Sequence, residues 1–282
     1  MFRRPMAFGG AWYPADPGDC EASIRRYQAE PLPAGLPRAR LGVVPHAGWM
    51  FSGALAGRVF QALDRDPGVE LVVVLGGHLG AGDPVVAMVE GEWQTPFGPF
   101  TIYEGFSEAL DDFPRVVLER EGTCRSDNST ELQLPFARYR YPKAELLPLR
   151  LPPDETALRV GRTLADHLHR SSLKAVVVAS TDLTHYGPNY GFEPHGRGGD
   201  ALAWVETEND AAFIAALEAG DGAELLATAR QRRCACSAGA AAALAELAGP
   251  QARFHQLGYT NSARVAPRDL RNFVGYVGGV YA

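Results

Sequence analysis

Five side chains of the kinds that bind transition metals or move protons occupy comparable places in the chain. His46 follows the apolar run "LGVV", His78 follows "LVVVLGG", and His185 follows "VVVASTDLT", with Asp182 three residues before it. Cys236 stands just ahead of an Ala-rich stretch in "RRCACSAGAAAALAEL". Glycine accompanies the first two histidines (Gly48, and Gly76 with Gly77), which permits the tight backbone a ligand needs. Imidazole, thiolate and carboxylate suit iron, copper or zinc better than magnesium or calcium. The residue types leave the third ligand open. Asp182 would give the two-histidine, one-carboxylate set of non-haem iron oxygenases, and Cys236 a set containing thiolate.

A helix starting near Ser237 would put its positive end at Cys236, and Arg232 and Arg233 are close in sequence; both favour a thiolate. Cys234 completes only C-x-C, and four cysteines are too few for a disulfide framework. The other histidines are weaker candidates. His167 and His169, two apart on a helix, point to different sides; His255 falls inside a late strand; His195 sits in a Gly-rich loop. "RSDNSTELQLPF" reads as a helix start with Asn128 as N-cap and Glu131 closing a capping box. Glu131 is also a candidate acid at the same rim.

Strand-like runs end at 44, 77, 150 and 180 and alternate with helical periodicity at 52–63, 129–139 and 154–170. Near-continuous Val/Leu strands separated by helices imply a mostly parallel or mixed α/β sheet covered on both faces. Two further helices, 200–218 and 237–248, precede strand-like "ARFHQLGY" and "NFVGYVGGVYA". In open α/β sheets, ligands collect at the carboxyl ends of the strands, where these histidines are expected to converge.

The 282 residues are read as one domain spanning 1–282. A hydrophobic share of 46% and a charged share of 21% fit a soluble globular chain. No apolar run reaches the ~18 residues of a spanning helix, and the N-terminus lacks a signal peptide's apolar stretch; a cytoplasmic protein with no membrane partner is expected. A net charge of −6 without a basic cluster argues against nucleic acid and for a small-molecule or protein partner.

Taken together, "AFGGAWYPADP", "VPHAGWMFSGALAGRVF", "LGGHLG", "TPFGP", "NSTELQLPF", "STDLTHYG", "CSAGAAAAL", "GYTNS" and "FVGYVGG" resemble, in order, the MEMO family, protein B of the AmmeMemoRadiSam gene set. The resemblance implies a fold similar to the catalytic subunits of class III extradiol dioxygenases, which open catechol rings with Fe(II) and O2. It implies His46, His78 and Cys236 as metal ligands, with Asp182 and His185 beside them, and so prefers Cys236 over Asp182. Fe(II) is the expected metal, with Cu or Zn as alternatives, and a homodimer is the oligomer the family allows.

The chain departs from the family where Asn128 replaces a frequent active-site histidine; "CSAGAA" replaces C-G-x-G-P and "NSARV" replaces N-S-G-D. The expectation is a metal-dependent, O2-using oxidoreductase acting on a small aromatic or electron-rich substrate, with His185, Asp182 and Glu131 as the catalytic groups and Trp49 and Phe51 as an apolar wall. The alternatives are a non-catalytic metal- or peptide-binding protein, slightly favoured by Asn128, and a zinc-dependent hydrolase.

Overall fold

Runs of β-branched and leucine residues, buried on both faces, build the centre of the molecule. The computed structural model describes residues 2–267 and 270–282. Among these, a nine-stranded sheet contains, in chain order, β1 (Leu41–Val44), β2 (Leu71–Gly76), β3 (Val85–Ala87), β4 (Val116–Leu118), β5 (Glu145–Arg150), β6 (Ala175–Ser180), β7 (His185–Tyr186), β8 (Phe254–Asn261) and β9 (Phe273–Tyr281). The spatial order is β7-β9-β1-β6-β2-β5-β3-β4, with β8 also paired to β9. β1, β6, β2 and β5 run parallel, whereas β9 is antiparallel to β1, β7 and β8. The sheet is therefore mixed, with a parallel centre.

Side chains of period two divide the core. Val73, Leu75, Leu147 and Val177 face one apolar cluster, and Val72, Val74, Val176 and Val178 face the other. Helices Glu155–Ser171 and Ala238–Ala248 cover the first face and pack on each other. The Ala-rich sequence of the second helix serves that packing, since Ala240 to Ala243 are fully buried. Helix Trp49–Ala62 covers the opposite face.

Two of the expected helices are interrupted. The 129–139 segment divides into Asn128–Glu131 and Leu134–Arg140, as Pro135 has no N–H to continue the ladder. The 200–218 segment contains a π-turn, Val205–Asn209, between Gly199–Trp204 and Asp210–Ala219. Helices Pro17–Tyr27 and Gly222–Arg232 were not foreseen. Each starts at an aspartate N-cap, Asp16 or Asp221, whose carboxylate accepts two backbone N–H groups. Among the described residues, no helix is long and apolar enough to cross a membrane.

Candidate metal centre

The parallel strands β1, β6 and β2 lie side by side and deliver their ends to one rim. His46 and His78 each stand two residues past a strand end, as does Asp182, and His185 opens β7. Gly77, just before His78, has φ +114°, and a Cβ there would lie 2.8 Å from that of Arg150. Its N–H donates to Ser129 Oγ at 2.7 Å. This turn needs glycine. Cys236 arrives from the amino end of helix Ala238–Ala248 and is locked to the β6 loop from both sides. Its N–H donates to the Asp182 carbonyl at 3.2 Å, and the Asp182 N–H donates to Cys236 Sγ at 3.3 Å.

His46 Nε2 lies 3.1 Å from His78 Nε2 and 3.1 Å from Cys236 Sγ. One donor atom from each of the three residues falls within 4.8 Å of the other two. Metal bonds of about 2.0–2.1 Å to nitrogen and 2.3 Å to sulfur hold donors at such mutual separations, so the residues present fit a metal ion. The outer ring nitrogens are engaged: His46 Nδ1 with Ser180 Oγ at 3.1 Å, and His78 Nδ1 with Asp127 Oδ2 at 3.4 Å. Such partners aim the Nε2 atoms inward. Asp182 does not join the donor set. Its Oδ1 accepts the His46 backbone N–H at 2.7 Å.

Charge in the centre is organised around the sulfur. Burial alone would raise the Cys236 pKa, but His46, His78 and His185 outweigh it and hold the thiol well below its usual range. His78 is raised to about 10 by its bond to Asp127 and then by Cys236. For His46, burial acts downward, yet the charges of Cys236 and Asp182 raise it. Burial raises the Asp182 carboxyl. Burial also opposes ionisation of Asp127, but His78, Ser129 and Arg150 keep its pKa low. The expected help from Arg233 is not realised. Its guanidinium lies over the Phe192 ring and donates to the Gly191 carbonyl at 3.2 Å, so the histidines are what favour the thiolate.

Other sequence candidates take separate places. His167 bonds Tyr103 Oη at 3.0 Å, the His195 ring stacks on Trp204, and His255 lies in β8. Burial pushes the Cys234 thiol up to about 12, in keeping with an ordinary core cysteine. Asn128 is not the N-cap. Asp127 is, accepting the Ser129 N–H, and Asn128 instead donates Nδ2 to the His46 carbonyl at 2.9 Å. Nor does Glu131 close a capping box. Its Oε1 accepts from the Phe8 N–H at 2.8 Å and Tyr13 Oη at 3.0 Å, anchoring the N-terminal segment, and it does not line the cavity described next.

A cavity of about 940 Å³ opens over the histidines. His46, His78, Asn128, Asp182 and His185 supply polar lining, and Trp12, Met50, Phe51, Tyr190, Val265 and Tyr276 much of the apolar wall. Phe51 takes its expected place. Trp49 does not: it is buried and packs on Phe136 with ring centroids 4.2 Å apart. The site residues not singled out from sequence are Asp127, Gln133, Arg150 and Ser180. Arg150 reaches Asp127 at 3.6 Å and Glu119 at 2.5 Å, and Glu119 also pairs with buried Arg4. The "DNS" stretch was a readable signal for Asp127; the rest depend on tertiary contacts.

The family model described as "Memo-like protein" matches residues 4–280. A MEMO1 family protein of Methanopyrus kandleri is 34% identical over 198 residues, covering 66% of this chain and 70% of its own. One from Thermococcus onnurineus is 31% identical over 209 residues, 72% of each chain. Among solved structures, an uncharacterized protein from Escherichia coli K12 aligns with a TM-score of 0.47 at 13% identity, covering 86% of this chain and all of that one.

Proposed function

The chain belongs to the MEMO family, and from that premise we propose that it is a metal-dependent oxidoreductase using Fe(II) and O2 on a small aromatic or electron-rich substrate. The single observation that carries this reading is the convergence of His46, His78 and Cys236 beneath a partly apolar cavity. Bound there, Fe(II) would supply one-electron redox chemistry toward O2, with a thiolate lowering its effective charge.

The protein's own groups then have assignable tasks. His185 Nδ1 lies 3.1 Å from the Leu183 carbonyl. A carbonyl only accepts, so in the neutral ring the proton sits on Nδ1 and Nε2 keeps its lone pair. His185 lines the cavity, and in this proposal Nε2 takes a proton from a substrate hydroxyl or amine and later returns it. Asp182 holds the His46 backbone, its Oδ1 accepting the His46 N–H. Trp12, Phe51 and Tyr190 exclude water and offer flat apolar contact to an aromatic ring. Glu131 acts indirectly, by anchoring the segment that carries Trp12. Small substrates and O2 are the partners in this reading.

The test is anaerobic loading with Fe(II), followed by O2-uptake measurements with a panel of catechols and indoles. Stoichiometric iron and substrate-triggered uptake that disappears in His46→Ala support the oxidoreductase. Iron binding with no uptake across the panel overturns it in favour of a binding protein. Zinc binding with hydrolysis that continues without O2 supports a metal-bound-water mechanism instead.

A further inference from the structure

Gln133 lies outside the donor set, yet its side chain joins the two strand ends from which His46 and Asp182 depart. Its Nε2 is 2.9 Å from the Pro45 carbonyl oxygen and 3.0 Å from Ser180 Oγ. The Pro45 oxygen can only accept, so the NH2 group must face it, and this fixes the orientation of the whole carboxamide. Ser180 Oγ receives the second N–H and itself lies 3.1 Å from His46 Nδ1. One amide thus holds the backbone immediately before His46 and, through a hydroxyl, the outer nitrogen of its ring. Pro45 and Ser180 follow and end β1 and β6, which pair directly at Val44 and Ser180.

This placement leaves a defect. Gln133 Oε1 is buried with no hydrogen-bond partner among the described residues, a condition that destabilises the fold. Gln133 is 1% exposed, a depth at which packing alone would be met by leucine or methionine. The donor groups of Gln133 therefore account for its presence better than its contribution to stability does.

We infer that Gln133 is a positioning residue of the metal centre, holding the Pro45 carbonyl and the Ser180 hydroxyl so that His46 presents Nε2 toward His78 and Cys236. The inference rests on the reading of those three residues as metal ligands. Outer partners of this kind fix ring orientation, and their loss commonly weakens metal binding about 10–100-fold.

The test uses the full chain as parent, Gln133→Met, Ser180→Ala and the double variant. Each is titrated anaerobically with Co(II), following the sulfur-to-cobalt charge-transfer absorption, and the Tm of each metal-free protein is recorded. Both single variants are expected to bind Co(II) about 10–100-fold more weakly than the parent. Because they cut the same path, the double variant is expected to bind no more weakly than the weaker single. The metal-free Tm of Gln133→Met should stay at the parent value, since the lost Pro45 bond is offset by removal of the unpartnered oxygen. Parent-like affinity in Gln133→Met, or losses that multiply in the double variant, would overturn the inference while leaving the metal centre intact. A parent that takes up no Co(II) removes the metal reading and this inference with it. Should Gln133→Met not fold, Ser180→Ala decides by the same affinity measure, because it leaves the Gln133–Pro45 bond in place.

Discussion

Cys236 Sγ lies 3.1 Å from His46 Nε2, across 190 residues of sequence. Three nearby imidazoles hold that sulfur as a thiolate against the effect of its burial, so it is ready to bind metal without first losing a proton to solvent. Cys236→Ser replaces it with a hydroxyl that stays protonated near neutral pH. The expected result is loss of the sulfur-to-cobalt charge-transfer band and a fall in affinity beyond the roughly 100-fold that marks loss of an outer partner. A competition titration measures this, and parent-like affinity would remove the sulfur from the coordination sphere.

Asp127 acts on the same centre through His78. The hydrogen bond to its carboxylate is the largest single cause of a His78 pKa raised to about 10, followed by Cys236. Removing that negative charge makes the protonated ring less favourable, so Asp127→Asn should move the His78 pKa down toward its ordinary value of about 6.5. Ring-proton NMR across pH follows this directly. Metal affinity corrected for proton competition at His78 should drop about 10–100-fold in the same variant, because the lower pKa by itself frees the ring for metal near neutral pH. An unmoved pKa would show that Cys236 alone sets the basicity of His78.

These two cases show what the sequence could reveal and why. Strand ends followed by histidine are local signals, and a parallel sheet turns local position into a shared rim; His46, His78 and Asp182 were legible for that reason. Cys236 was legible as a helix-start cysteine, but the source of its charge was not, because Arg233 is adjacent only in sequence and points toward Phe192. Asn128 and Asp127 were confused because either residue type can cap a helix, and the choice is made by which backbone N–H each one meets. Gln133 and Ser180 carry no local mark at all. Their role arises from pairing β1 with β6 and from the break that Pro135 imposes on the neighbouring helix.

His185 lines the cavity but falls outside the cluster of donor atoms. His185→Gln should therefore leave Co(II) affinity at the parent value while abolishing any substrate-triggered O2 uptake. A loss of metal affinity in this variant would instead make His185 part of the coordination sphere.

Gly77 connects backbone geometry to the site. At φ +114° an alanine is strained by about 1–3 kcal/mol, and its Cβ would press on Arg150, the partner of Asp127. Gly77→Ala should lower stability by at least that amount in urea denaturation and weaken metal binding as His78 moves. Unchanged stability would mean that the turn relaxes without strain.

Asp210, away from the donor atoms, gives the chain a pH dependence of its own. It accepts bonds from the Thr184 N–H, at 3.0 Å, from the Thr184 hydroxyl, and from Tyr259 Oη, at 2.7 Å. Burial nevertheless outweighs these donors and raises its pKa from 3.8 to about 6. Between those values the folded protein holds a proton that the unfolded chain has released. The resulting stability is fully present below about pH 4, declines as pH rises through about 6, and is constant above that. Two pKa units correspond to a decline of up to about 3 kcal/mol. Asp210→Asn is neutral at every pH, so the stability of the variant minus that of the parent should increase by a comparable amount from pH 4 to pH 7. Urea denaturation at the two pH values measures the difference directly. A difference that stays flat would mean that the three donors, rather than burial, control the carboxyl.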